Sequence, residues 1–386
     1  MRFVIIFLQF RLRKNRAYGI VNLYMYNLEV NEMTKTLILF GGVSSEHDVS
    51  CVSAQSVVEH IPRDKYDVLL LGITKAGAWL FYEGDTADLP KDRWVESGKC
   101  TPAALSPDRE NGGVLVFRET GVERIPVDVA FPVLHGKNGE DGTVQGLLEL
   151  AGIPCVGCGV LASAMCMDKA VTNLLADTVG IPQTKWLTVT ATEYQKDEAA
   201  FCARAVETLS LPLFVKPANA GSSRGISKVN REEDLPEAIK TAFAHDRKLV
   251  LEAAVENPLE VECAVLGNEA PMVSVVGGIV PCKEFYDYEA KYIDEGSVLQ
   301  IPAQIPPAAQ EEIRATALRV FALLGCRGMA RVDFFYQKDT GRVLFNEINT
   351  IPGFTSISMY AKLMEQSGVP YPKLLDRLFK LALEQR

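Results

Sequence analysis

The sequence predicts an α/β protein: a parallel, doubly wound α/β unit followed by two α+β units. Three observations carry this reading. Strand-like and helix-like segments alternate through the first half of the chain. A Gly/Ser-rich hairpin replaces that alternation after Lys216. The last third holds four apolar strands together with two long helical patterns.

In the first unit, Thr36–Phe40 reads as a short apolar strand. The loop Gly41-Gly42-Val43-Ser44-Ser45-Glu46-His47-Asp48 follows, then a helix from Val49 to Ile61 with Asp48 as its N-cap. Further strands are expected at Asp67–Ile73 and Val127–Leu134, and a helix at Thr143–Leu150. This unit spans residues 33–166. A second unit, 167–251, opens with a helix stopped by Gly180 and Pro182. It continues through the strands Leu213–Lys216 and Gly225–Val229 to a helix over Glu232–Ala244. The third unit, 252–386, is expected to carry strands at 260–267, 272–280, 328–336 and 342–348, and helices at 307–324 and 371–385.

Residues 1–32 read as an extension outside the fold. The apolar run Phe3–Leu8 is far shorter than the ~20 residues that span a bilayer. The positive charge of Arg11, Arg13, Lys14 and Arg16 follows that run, where a signal peptide would place it before. No membrane association is expected. The net charge of −9 argues against a nucleic-acid partner. Nine scattered cysteines do not suggest a disulfide framework and point to a reducing, cytoplasmic setting. The pair Cys155-Val-Gly-Cys158 lacks a second pair to complete a zinc site, so two small buried thiols are the expected reading.

The strongest chemical signal is Arg331-Val332-Asp333-Phe334-Phe335 followed by Asn346-Glu347-Ile348-Asn349. Side chains alternate faces along a strand, so Arg331 and Asp333 share a face, as do Glu347 and Asn349 on the partner strand. Two carboxylates and an amide thus converge, a set of hard oxygen donors suited to magnesium. Apolar residues crowd both strands, which disfavours a merely solvated face. The second signal is Lys216-Pro217-Ala218-Asn219-Ala220-Gly221-Ser222-Ser223-Arg224-Gly225, a turn whose backbone N–H groups can face phosphate oxygens. Lys169 upstream supplies a further positive charge. The first loop differs from the dinucleotide fingerprint and sets Glu46 near a helix N-terminus, where it would repel a pyrophosphate but accept an ammonium. The segment His135-Gly136-Lys137-Asn138-Gly139-Glu140-Asp141-Gly142 follows a strand and marks a ligand crevice. Phe285-Tyr286-Asp287-Tyr288-Glu289-Ala290-Lys291-Tyr292 reads as a water-excluding loop. In the segment from Ile351 to Tyr360, Gly353 permits close backbone approach and Ser358 offers a hydroxyl.

Together these motifs resemble the D-alanine:D-alanine ligase family of ATP-grasp enzymes. The resemblance runs from about Met33 to the C-terminus and rests on Gly-Gly-x-Ser-x-Glu-His, His-Gly-x-x-Gly-Glu-Asp-Gly, Met-Asp-Lys, the Gly-Ser-Ser hairpin and Asn-Glu-Ile-Asn-Thr-x-Pro-Gly, in family order. It implies an ATP-grasp fold, with an N-terminal parallel α/β domain followed by two α+β ATP-grasp subdomains. It also implies ATP-dependent joining of two D-alanine molecules for peptidoglycan precursors. It implies that Lys169 and Lys216 hold ATP phosphates, with Ser222 and Ser223 in the phosphate flap, and that Glu252 and Glu260 contact adenine and ribose. Asp333, Glu347 and Asn349 would bind two magnesium ions, with manganese as a substitute. Glu46 would hold the first D-alanine's ammonium, with His135 nearby. Arg331 and the Gly353 N–H would stabilise the oxyanion. Lys291 would reach the γ-phosphate, and Tyr292 would close the lid towards Ser222 and Glu46. Ser358 and the Met359 backbone would hold the second carboxylate. A homodimer is implied as well. Two departures stand out: Ala361 replaces the usual proline, and Ala253–Leu259 lacks the usual Gly-Arg or Ala-Arg.

Rival readings are a D-alanine:D-lactate or D-alanine:D-serine ligase of the same fold, a dinucleotide-binding oxidoreductase, and a non-catalytic nucleotide-binding module. The absent G-x-G-x-x-G disfavours the oxidoreductase. Arg331 beside the metal face disfavours the non-catalytic module.

Overall fold

The computed structural model describes residues 33–110, 112–280, 298–355 and 357–384. The expectations for residues 1–32 and for the loop holding Lys291 and Tyr292 lie outside the described residues. Among the described residues the strands form three sheets. The first comprises β1 (Thr34–Gly41), β2 (Tyr66–Ile73), β3 (Trp79–Tyr82), β4 (Cys100–Ser106), β5 (Gly113–Arg118), β6 (Gly121–Ile125) and β7 (Val129–Pro132). Its order is β6-β5-β4-β3-β2-β1-β7.

The expected parallel arrangement holds for β2-β1-β7. The strands β3 to β6 extend that sheet as an antiparallel meander, which the reading of the sequence did not place. Alternation along β1 covers both faces. Ile38 and Phe40 pack with Val57 and Phe379, while Leu37 and Leu39 pack with Leu148 and Ile153. The helix His47–His60 therefore lies on one face and Thr143–Ala151 on the other.

Helix entry after β1 differs from expectation in one respect. The N-cap is Glu46, not Asp48, and the Glu46 side chain makes no cap hydrogen bond. Asp48 is the exposed residue of the first turn and pairs with Lys75 at 2.7 Å, a better use of its charge beside the helix N-terminus. Ile61 leaves the helix in an extended conformation because Pro62 follows it.

The second sheet is β8 (Trp186–Thr190), β9 (Leu213–Pro217), β10 (Ser227–Val229) and β11 (Lys248–Ala253), ordered β10-β9-β11-β8. It is entered from the helix Lys169–Thr178, whose N-cap Asp168 accepts from Ala170 N and Val171 N at 3.1 Å each. The expected helix at 232–244 starts as a tight turn, Glu232–Asp234. Its α-helical part is Leu235–Phe243, with a proline in the first turn.

The third sheet contains β12 (Pro258–Gly267), β13 (Met272–Val273), β14 (Gly277–Val280), β15 (Val298–Gln300), β16 (Gly328–Gln337) and β17 (Val343–Asn349). The expected strand at 272–280 is interrupted at 274–276, where the Ser274 hydroxyl accepts from Ala264 N at 2.9 Å and takes over a ladder bond. The helix Pro307–Leu323 buries Ile313, Ala317, Val320 and Phe321 against this sheet. No helix among the described residues is long and apolar enough to cross a membrane. Cys155 and Cys158 are free thiols; Cys158 is buried as expected, with Sγ 3.5 Å from Arg327 O, whereas Cys155 is only partly buried.

Candidate active site

The β16–β17 hairpin brings the oxygen donors together through its register. Asp333 lies opposite Glu347 and Arg331 opposite Asn349. A register shift follows Asp333, so that Phe334 pairs with Phe345 and Asn346 is the extra residue. Such a bulge turns a strand locally and aims the neighbouring carboxylates. Glu262 on β12 is the other cross-strand neighbour of Asp333. Three carboxylates, Glu262, Asp333 and Glu347, thus form one row across three strands.

Like charges placed directly opposite one another on a sheet repel, so this row requires cations. Arg331 donates from Nε to Asp333 Oδ1 at 2.8 Å and from Nη2 to Asp333 Oδ2 at 2.7 Å. Asn349 Nδ2 donates to Asp333 Oδ2 at 3.1 Å, and Lys169 Nζ lies 3.8 Å from Glu347 Oε2. Burial works against the charged guanidinium, but Asp333 and then Glu262 outweigh it and hold Arg331 firmly protonated.

This row lines a cavity of about 180 Å³ that also contains Glu46, His135, Ser222 and Ser358. Glu46 is buried, and Ser222 donates its hydroxyl to Glu46 Oε1. The β9–β10 hairpin tip therefore contacts the first loop directly. Ser222 and Ser223 have φ of 50° and 58°, a left-handed conformation that non-glycine residues adopt only under local constraint. The Glu46 carboxylate sits between two backbones: a Cβ on Gly136 would lie 2.4 Å from Glu46 Oε2, and one on Gly221 2.7 Å from it.

His135 is buried, and its Nδ1 faces Ile351 O at 3.2 Å. A carbonyl only accepts, so Nδ1 carries the proton and Nε2, 3.1 Å from Ser53 Oγ, is the acceptor. Burial holds this imidazole neutral below the usual histidine range, against the opposing charge of Glu46. Glu140 accepts from Gly136 N at 2.7 Å and from Ile351 N at 3.4 Å. Burial and the nearby Glu46 push its carboxyl up to about 8. His135 and Glu140 together hold both backbone polar groups of Ile351, two residues ahead of Gly353. The reading of the sequence gave Glu140 no role.

Of the nucleotide candidates, Lys169, Ser222, Ser223 and Glu260 line this same cavity, and Lys216 and Glu252 pair with each other on the second sheet. Lys216 Nζ pairs with Glu252 Oε2 at 2.6 Å, and Glu252 Oε1 accepts from Asn173 Nδ2 at 3.2 Å. Lys169 Nζ donates to Ala220 O at 2.8 Å, tying the helix start to the hairpin tip. Glu260 lines the same cavity as Asp333, while Glu252 and Lys216 lie on adjacent strands of the second sheet. Ser358 is the N-cap of the helix Met359–Gln366. Its hydroxyl accepts from Thr355 N at 3.0 Å and lies where a Cβ on Gly353 would stand 2.8 Å away. The helix N-terminus beside it suits a carboxylate.

Two family sequence models match the chain, the D-ala D-ala ligase N-terminus over residues 35–158 and the D-ala D-ala ligase C-terminus over residues 175–380. The chain belongs to the D-Ala–D-Ala ligase family. It is 53% identical over 352 residues to the D-alanine–D-alanine ligase of Caldicellulosiruptor bescii, covering 91% of this chain and 95% of that one. It is 48% identical to the namesake of Thermoanaerobacter pseudethanolicus, covering 92% and 97%. Among solved structures it resembles the VanG D-Ala:D-Ser ligase from Enterococcus faecalis, with a TM-score of 0.82, 41% identity, and coverage of 91% of this chain and all of that one. The D-alanine–D-alanine ligase from Coxiella burnetii matches with a TM-score of 0.78 and 33% identity, covering 91% and 96%. The matched regions contain Glu46, His135, Glu140, Lys216, Ser222, Arg331, Asp333, Glu347, Asn349 and Ser358, whereas Lys169 and Asn173 lie between them.

Proposed function

We propose that this protein joins two D-alanine molecules into D-alanyl-D-alanine at the expense of ATP, through an acyl phosphate, in peptidoglycan precursor synthesis. The observation that carries the reading is the single cavity in which the Arg331–Asp333–Glu347–Asn349 face meets the Glu46–Ser222 contact. Glu46 accepts the first substrate's ammonium. The attacking carboxylate then lies towards the nucleotide held by Lys169, Lys216 and the Ser222–Ser223 tip, with Glu252 and Glu260 at the adenosine end. The donor chemistry of Asp333, Glu347 and Asn349 fits two magnesium ions, and manganese fits the same oxygen set. When bound, such ions neutralise charge on the transferring phosphoryl group.

Arg331 and the Gly353 N–H receive the oxyanion as the second D-alanine's amine attacks the acyl carbon, and phosphate departs. Each such donor is worth about 3–4 kcal/mol at that step. Ser358 and the Met359 N–H hold the second carboxylate. The unit follows the division 33–166, 167–251 and 252–386, works as a homodimer, and resides in the cytoplasm.

The test supplies ATP with D-alanine, with each other amino acid, and with equal D-alanine and D-lactate, from about pH 6 to pH 9, a range bracketing histidine titration. The expected result is one phosphate released per D-alanyl-D-alanine, with dipeptide dominant over depsipeptide at pH 7 and above. Neutral Met359 beside the second subsite supplies no cationic bias towards the lactate anion. Predominant depsipeptide at pH 7 would overturn the choice of second substrate. Phosphate release without D-alanine would overturn the ligase reading.

Residues 33–386 form one compact unit. A protein starting at Met33 is expected to fold and to match the full chain in kcat/KM. Loss of folding or of activity in that truncation would show that residues 1–32 belong to the working enzyme.

A further inference from the structure

Arg331 presents a single Nε–H to two carboxylates. Asp333 Oδ1 lies 2.8 Å from Nε, and Glu262 Oε2 lies 3.2 Å from the same atom. One N–H gives its proton to one acceptor at full strength, so the two compete. In the described arrangement Asp333 wins, because Nη2 adds a second bond to Oδ2 and makes the pair bidentate. That arrangement occupies both Asp333 oxygens, and Asn349 Nδ2 adds a third donor to one of them. Any divalent cation on Asp333 must share oxygens with a cationic guanidinium. The guanidinium, only 21% exposed, then needs another anion, because a largely desolvated cation deprived of its partner is costly. Glu262 meets the requirement: its side chain is 5% exposed, and it lies directly opposite Asp333 on the neighbouring strand.

We propose that Glu262 is a positioning residue that takes over the Arg331 guanidinium when Asp333 turns its oxygens to the metal ions, leaving Arg331 charged, partly buried and aimed at the reacting acyl group. Glu262 touches neither substrate nor metal in this role and acts through Arg331. The proposal rests on the metal assignment of Asp333 made above.

Two substitutions separate contact from charge. Glu262→Gln keeps the shape but removes the anion. Glu262→Asp keeps the anion but withdraws it by one methylene, beyond reach of Nε. Direct Mn2+ binding, read as loss of the free-ion electron paramagnetic resonance signal in the presence of ADP, is measured on the full chain and on both variants. Both are expected to raise the Mn2+ dissociation constant by about fivefold or more, a coupling typical of residues in contact. The magnesium concentration for half-maximal turnover is expected to rise in parallel while KM for D-alanine stays unchanged. A Glu262→Asp protein that binds Mn2+ like wild type would overturn the proposal, since Glu262 would then act by its field alone. Equal binding in all three proteins would overturn it too. Failure of the wild-type chain to bind Mn2+ with ADP would instead remove the metal assignment itself.

Discussion

Replacing Glu347 by glutamine is expected to leave a folded protein whose kcat falls on the order of 100-fold or more, because a charge in a metal shell supports several kcal/mol of transition-state stabilisation. The substitution changes almost no volume, and the Glu347 side chain is 28% exposed, so packing of β17 is preserved. Its effect is electrostatic. Glu347 faces Asp333 across the hairpin and Lys169 at 3.8 Å. A neutral amide there leaves Lys169 with a weaker partner and the metal face with one carboxylate fewer. Phosphate release at saturating ATP and D-alanine, followed across a magnesium titration, checks the outcome. The melting temperature should stay within a few degrees of wild type, as for a volume-conserving substitution at a partly exposed site. Activity equal to wild type at limiting magnesium would sink the assignment of Glu347 to the metal site.

The hairpin that carries this chemistry was legible because its charged residues break an otherwise apolar alternation. Nothing else in Arg331–Phe335 or Asn346–Asn349 explains an arginine and two acids between aromatics and aliphatics. Glu262 offered the same signal, an acid at period two from Glu260 in an apolar strand, yet its importance depends on which strand pairs with β16. Pairing of residues 71 positions apart in the chain, Glu262 and Asp333, is set by tertiary packing, and local pattern does not contain it. The meander β3 to β6 escaped notice for a related reason. Its strands are short and half exposed, and their stability comes from the edge of β2 on which they assemble. Glu140 was read only as part of a glycine-rich loop, because its partners are backbone N–H groups, Gly136 beside it and Ile351 in a distant segment. The Asp48 cap failed on a local competition: Glu46 ends the loop two residues earlier, and Lys75 claims Asp48.

Gly136→Ala is expected to raise KM for D-alanine about tenfold or more, the equivalent of losing roughly 1.4 kcal/mol of binding. The Gly136 backbone has φ of 71°, where a Cβ is strained, and that Cβ would lie 2.4 Å from Glu46 Oε2 and 2.9 Å from Ser44 Oγ. Glu46 has nowhere to go, because the Gly221 backbone bounds the same oxygen from the other side. If the carboxylate swings away, it leaves the Ser222 hydroxyl. If residue 136 moves instead, its N–H leaves Glu140 Oε2. Either response acts first on Glu46, the proposed ammonium acceptor, so KM for ATP should change less than KM for D-alanine. Backbone strain alone must be subtracted, and Gly152→Ala supplies the control. Gly152 has φ of 68° at the end of the helix Thr143–Ala151, and its nearest contact for a Cβ is the Arg109 side chain at 3.3 Å. Both substitutions should cost about 1–2 kcal/mol of stability through the left-handed backbone. Only Gly136→Ala should lose affinity for D-alanine. A Gly136→Ala protein with wild-type KM for D-alanine, destabilised no more than Gly152→Ala, would show that confinement of Glu46 between two glycines does not set the first substrate's site.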